Sequence, residues 1–224
     1  MTAGAELTAE SLLFDMDGTL VDSTPVVERT WRRFARRLGL DAEEILATAH
    51  GRRTGETVAR FVPAGVDAEA ETARLVAEEI ADTEGIVAVP GARELLASLP
   101  KDRWAVVTSA SRELAIRRMG AAGLPLPRLL VSADDVTRGK PDPEGYLTAA
   151  RRLRVRPGAT LVFEDAEAGL LAAAASGATP VVVGGHTGPS TGGLIRVSDL
   201  REVSATVTPR GILRVSFALT RAMS

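Results

Sequence analysis

Short apolar runs alternate along most of this chain with longer stretches whose apolar positions recur at helical spacing. The segments Ser11–Phe14, Trp104–Val107, Leu129–Val131, Thr160–Phe163 and Pro180–Val183 are almost continuously apolar, as strands buried on both faces must be. Helices are predicted between them over Ala92–Leu99, Arg112–Ala121, Glu144–Leu153 and Glu167–Ser176. This alternation predicts an α/β fold, a Rossmann-like parallel sheet covered on both faces. It is interrupted once. Thr24 is expected to cap a helix with Pro25 at its first position; Val27, Trp31, Phe34 and Leu38 fall on one face, and Gly39 stops it. Asp41 with Glu44 reads as a capping box for a second helix, a third follows Thr54, and a fourth covers Asp67–Thr83. From Thr24 to Val87 no convincing strand appears. The expected organisation is therefore a discontinuous core (11–23 and 88–224) with a small all-helical insertion (24–87). Residues 1–10 are expected to be disordered.

The tail follows a different period. After a Gly/Thr/Pro loop over 184–193, Val203, Ala205 and Val207 alternate with polar residues, and Leu213, Val215, Phe217 and Leu219 do so again beyond Pro209-Arg210-Gly211. A C-terminal β-hairpin with one buried face is predicted, added to the edge of the sheet.

The first strand ends in Asp15-Met16-Asp17-Gly18-Thr19, two carboxylates one residue apart. An ordinary Asp-Gly turn explains Asp17 and Gly18 but leaves Asp15 unexplained. Like charges at a buried strand tip destabilise each other unless a cation or a helix end neutralises them. In open parallel sheets ligands bind beyond the C-terminal strand ends. Asp15, Thr108 and Asp165 fall at or just after such ends, and Lys140 lies in the loop after another. Taken singly, Thr108 suits any strand end, and Glu164-Asp165 suits an acidic helix N-terminus. Lys140 gains weight from composition: of 27 basic residues only Lys101 and Lys140 are lysine. A compact ammonium reaches between several carboxylates and a phosphate as a point charge, which a planar guanidinium does not.

At 224 residues the chain can bury a substantial core, and a formal charge of -2 gives no electrostatic case for nucleic acid or a membrane surface. The absence of cysteine excludes disulfides and thiolate chemistry. Met1–Ser11 lacks the pattern of a secretory signal, and no segment approaches the ~20 apolar residues of a membrane helix. The expectation is a soluble cytoplasmic protein, with a monomer favoured.

The segment from Asp15 to Ser23, together with Val106-Val107-Thr108-Ser109, Gly139-Lys140-Pro141-Asp142-Pro143 and Val162-Phe163-Glu164-Asp165-Ala166, resembles the four motifs of the haloacid-dehalogenase-like hydrolase superfamily, in the right order. The helical insertion resembles the C1-type cap of that superfamily. Within it, the stretch from Ala49 to Glu56 is similar to the cap loop of its glycerol-phosphate and 2-deoxyglucose-phosphate phosphatases.

The resemblance implies a Mg²⁺-dependent phosphatase of small phosphorylated sugars or polyols. Asp15 would be the nucleophile that forms an aspartyl-phosphate, and Asp17 the general acid and then base. Thr108 and Lys140 would hold the phosphoryl oxygens, with Ser109 beside them in substrate binding. The carboxylates of Asp15 and Asp165 would take the metal, the resemblance adding the backbone carbonyl of Asp17, with Glu164 in support. Arg53 is the expected main cap contact, with His50 and Glu56 as hydroxyl-recognising partners. Two other readings compete: a sugar phosphomutase like β-phosphoglucomutase, which shares these motifs, and a phospho-receiver domain. A receiver places its acceptor aspartate after the third strand and carries no such insertion.

Overall fold

The computed structural model describes residues 4–218. Its centre is a six-stranded parallel sheet built from β2 (Ser11–Phe14), β5 (Trp104–Val107), β6 (Leu130–Val131), β7 (Thr160–Glu164), β8 (Thr179–Val183) and β9 (Ile195–Val197), in the order β6-β5-β2-β7-β8-β9. The crossover helices are α5 (Ala92–Ser98), α6 (Arg112–Ala121), α7 (Glu144–Leu153) and α8 (Glu167–Ala175). The α/β expectation is borne out. Successive residues of each strand enter opposite layers: Leu12, Phe14, Val106, Phe163 and Val181 pack on one face, and Leu13, Ala105, Val107 and Val162 on the other, where Tyr146 of α7 covers them. That two-sided burial is why these strands read as unbroken apolar runs. β9 escaped the sequence because it is a short edge strand with Arg196 at its middle.

Between β2 and β5 lie α1 (Thr24–Leu38), α2 (Ala42–Ala49), α3 (Thr54–Phe61) and α4 (Ala68–Ala81). Trp31, Phe34, Ile45, Leu46, Val58 and Leu75 from these helices form an apolar cluster of their own. The chain enters and leaves the insertion through a two-stranded antiparallel ribbon, β3 (Val21–Asp22) and β4 (Val87–Ala88). Asp41 caps α2 by accepting from the amides of Glu43 and Glu44. Thr24 is instead the first residue of α1, not its cap. Ser23 precedes the helix without capping it, because its hydroxyl is turned to Asp17.

The N-terminus and the tail correct two expectations together. Residues 5–9 are not disordered: β1 (Ala5–Ala9) pairs antiparallel with β11 (Leu213–Phe217), which pairs with β10 (Val203–Val207). The C-terminal hairpin thus completes a separate three-stranded sheet, order β1-β11-β10, and does not extend the edge of the central one. Leu213, Val215 and Phe217 point into the core layer of Phe163, with the two phenyl rings 6.4 Å apart. Packing there buries Leu213, Val215 and Phe217 almost completely, which is the driving force for the placement. Residues 1–3 of the segment expected to be disordered, and Leu219 of the predicted hairpin, lie outside the described residues.

The loop from β6 to α7, which carries Lys140, is anchored by Asp135. Its carboxylate accepts from the Ser132 amide and hydroxyl, both at 2.9 Å, from Arg112 at 2.6 Å and from Arg152 at 3.0 Å. Partial desolvation opposes ionisation, but these donors outweigh it and hold the carboxyl at about 2. A carboxyl held below its ordinary 3.8 contributes stability above that value and loses it as pH falls towards 2. Asp135→Asn is therefore expected to cost about 1–2 kcal/mol at neutral pH. Urea denaturation of both proteins should show the gap shrinking as pH falls below about 4.

Candidate active site

The C-terminal ends of β2 and β7 lie side by side, which sets Asp15 next to Glu164 and Asp165. The Asp15 amide donates to the Phe163 carbonyl at 3.0 Å, so the pairing continues one residue past the strand and fixes where the carboxylate emerges. Asp15, Glu164 and Asp165 each offer an oxygen within 4.8 Å of the others. Lys140 reaches in as their counter-charge, its Nζ donating to Asp15 and, at 2.6 Å, to Glu164. Glu164 is fully buried and further held by the Tyr146 hydroxyl at 2.8 Å and by the amides of Asp165 and Ala166 at 3.1 and 3.2 Å.

The electrostatics follow from three carboxylates against one ammonium. Burial pushes the Asp15 carboxyl up to about 8; Lys140 opposes the shift and Glu164 adds to it. Asp165 is raised well above the carboxylate range by burial, then by Asp15 and Glu164. Burial alone would depress Lys140, but its two carboxylate partners overcome this and raise it well above its ordinary value. A clustered all-oxygen donor set with excess negative charge fits a hard divalent cation such as Mg²⁺. Asp165 also accepts from Thr19 at 3.3 Å. Gly18 makes that approach possible: its φ of +85° suits glycine, and a Cβ there would sit 2.0 Å from an Asp165 oxygen.

Asp15, Asp17, Thr108 and Ser109 line one cavity of 140 Å³ between the sheet and the helical insertion. Asp17 is held at both oxygens, by the Ser23 hydroxyl at 2.6 Å and by Arg118 Nη1 at 2.9 Å. Thr108 is buried at the end of β5, its hydroxyl accepting from the Ala110 amide. Ser109 donates to the Gly51 carbonyl at 2.8 Å, tying that strand end to the insertion. Of the expected cap residues, His50 is exposed and lines the cavity, alongside Arg52. Arg53 lies elsewhere: its guanidinium donates to the carbonyls of Ala133, Val136 and Thr137 and lines a separate crevice with Lys140 and Tyr146. Glu56 is exposed beside Gly139 and does not line the cavity.

Residues 10–177 match the model of the haloacid dehalogenase-like hydrolase family. The chain belongs to this family. It is 46% identical over 178 residues to hexitol phosphatase A of Escherichia coli (strain K12), covering 78% of this chain and 82% of that one. It is 33% identical over 250 residues to 2-deoxyglucose-6-phosphate phosphatase 1 of Saccharomyces cerevisiae, covering 97% and 100%. The fold superimposes on the crystal structure of a putative β-phosphoglucomutase from Thermotoga maritima with a TM-score of 0.63 at 28% identity, covering 86% of this chain and 95% of that one.

Several residues of this hydrolase's site were not singled out from sequence. Arg118 and Glu79 are buried in the cavity wall and paired at 2.6 Å, and Tyr146 and Ser23 hold the carboxylates from behind. A signal existed for the first two. Arg118 stands four residues after Leu114 on the buried face of α6, and Glu79 four after Leu75 on that of α4. A charged residue at a core-facing helical position needs a partner.

Removing the ammonium while keeping its length leaves Asp15 and Glu164 buried without counter-charge. Lys140→Met is expected to lower the metal-free protein's stability by about 3 kcal/mol, read by urea denaturation. Because protonation relieves the repulsion, the loss should be smaller at pH 5 than at pH 8.

Proposed function

We propose that the chain is a Mg²⁺-dependent phosphatase of small sugar or polyol phosphates that works through an aspartyl-phosphate at Asp15. Membership of the hydrolase family and phosphatase relatives support a phosphoric monoester hydrolase. The observation that carries the reading is that Asp15, buried against Lys140 and Asp165, shares one cavity with Asp17 and Thr108.

A Mg²⁺ ion would be held by the carboxylates of Asp15 and Asp165 and by the Asp17 carbonyl, with Glu164 in support, and would supply charge neutralisation between two anions. An Asp15 carboxylate oxygen attacks phosphorus, and the bond from phosphorus to the ester oxygen breaks. Asp17 gives that departing oxygen its proton, since a sugar or polyol alkoxide leaves poorly otherwise. Thr108, Ser109 and Lys140 hold the non-bridging oxygens as charge moves onto them. Asp17 then takes a proton from water, which attacks the same phosphorus and returns Asp15 and inorganic phosphate. In this reading 24–87 is a cap on a core of 11–23 and 88–224. His50 meets the leaving group at the cavity, while Arg53 and Glu56 act from the adjoining loop contacts. The enzyme is taken to act in the cytoplasm as a monomer; no helix among the described residues is long and apolar enough to cross a membrane.

The test is phosphate release from a panel of hexitol, hexose and glycerol phosphates with Mg²⁺. Release is expected from a narrow subset, abolished by EDTA and reduced at least ~1000-fold in Asp15→Asn. Interconversion of a sugar 1-phosphate and 6-phosphate without release would replace the phosphatase with a mutase.

A further inference from the structure

One wall of the cavity carries charge that the phosphoryl chemistry does not use. Glu79, from α4 in the insertion, and Arg118, from α6 in the core, are 5% and 3% exposed. Arg118 divides its guanidinium between two acids, Nη2 donating to Glu79 at 2.6 Å and Nη1 to Asp17 at 2.9 Å. Glu79 therefore lies about one guanidinium width beyond the Asp17 carboxylate, and both line the same cavity. Among the described residues its second oxygen has a single long contact, 3.5 Å from the Thr54 hydroxyl, so it retains acceptor capacity. The apolar faces of Val27 and Trp31 line the same cavity.

The hydrogen-bonding character of this wall is decisive. Arg118 offsets the Glu79 charge, and Asp17 carries the proton it gives to the ester oxygen, so what the wall leaves open to a leaving group is the second Glu79 oxygen, an acceptor only. Arg52 and His50 also line the cavity but are exposed, where solvent and salt screen a cation. A neutral polyhydroxyl group can donate to Glu79 and lie against Trp31. A leaving group with its own carboxylate or second phosphate has no proton to donate there and sets its charge against the Glu79 carboxylate.

We infer that Glu79, fixed by Arg118, is a specificity residue that admits neutral hydroxylated leaving groups and rejects phosphate esters bearing a second anion. This rests on the phosphatase reading and narrows its substrate class.

Matched substrate pairs test it: glycerol 3-phosphate against 3-phosphoglycerate, and sorbitol 6-phosphate against 6-phosphogluconate. Each pair differs only in a terminal alcohol or carboxylate. The wild-type chain with Mg²⁺ is expected to favour the alcohol in kcat/KM by at least ~10-fold. Glu79→Gln, which keeps an acceptor for Arg118, should shrink that ratio by about 10-fold or more, mainly through KM, because the repulsion acts in ground and transition states alike. Glu79→Asp should retain the preference. A merely structural role for Glu79 would slow both members equally and leave the ratio unchanged, which overturns the inference. Equal wild-type turnover of acid and alcohol overturns it whatever the variants do. The comparison is read on whichever alcohol of the panel is turned over and its carboxylate counterpart; failure of the wild-type chain to release phosphate from any ester of the panel or of these pairs instead sinks the underlying sugar and polyol phosphatase reading, and the filter with it.

Discussion

Three carboxylates crowded against one ammonium at the C-terminal edge of the sheet set the terms for the rest of the molecule. Asp15, Glu164 and Asp165 are delivered by neighbouring parallel strands, and Lys140 comes from a loop that must be fixed to reach them. Such a cluster is unfavourable in isolation, since burial raises both Asp15 and Asp165 away from ionisation. The surrounding sequence serves to hold it. Tyr146 and two backbone amides satisfy Glu164, Asp135 anchors the lysine loop, and Gly169 leaves room where a Cβ would fall 1.7 Å from a Glu164 oxygen. Excess negative charge built at such cost fits a bound cation better than it serves stability.

The helical insertion is tied to the core by contacts that border this site. Ser109 bonds Gly51, Arg53 bonds three carbonyls of the loop before Lys140, and Glu79 pairs with Arg118. Asp17 is held from within the core, by Ser23 at the entry to the insertion and by Arg118, whose other partner is Glu79 on α4 of the insertion. Seating the helices on the sheet therefore also orders the carboxylate proposed to move protons, as preorganised sites require.

What could be read from sequence was whatever local pattern encodes. Strands buried on both faces print as apolar runs, so β2, β5, β7 and β8 were visible together with the residues at their tips. β1 was not, because Ala5–Ala9 alternates with polar residues and its partner β11 lies at the far end of the chain. The hairpin's own alternation was legible, but which surface it would cover depends on that distant partner. Arg53 illustrates a similar limit: its charge and loop position suggested an anion contact, whereas nearby carbonyls take its guanidinium. Glu79 and Arg118 stand at core-facing positions of their helices, which signals a need for partners, but that each is the other's partner is set only by the packing of α4 against α6.

The claim on which everything else rests is that the carboxylate cluster is a divalent-cation site whose ligands compete with protons. Calorimetric titration of the metal-free chain with Mg²⁺ addresses it directly. One saturable site per chain is expected, lost in Asp165→Asn, with apparent affinity rising from about pH 6 to about pH 8 as Asp15 gives up its proton. Absence of saturable binding, or binding that survives Asp165→Asn with no dependence on pH, would contradict it.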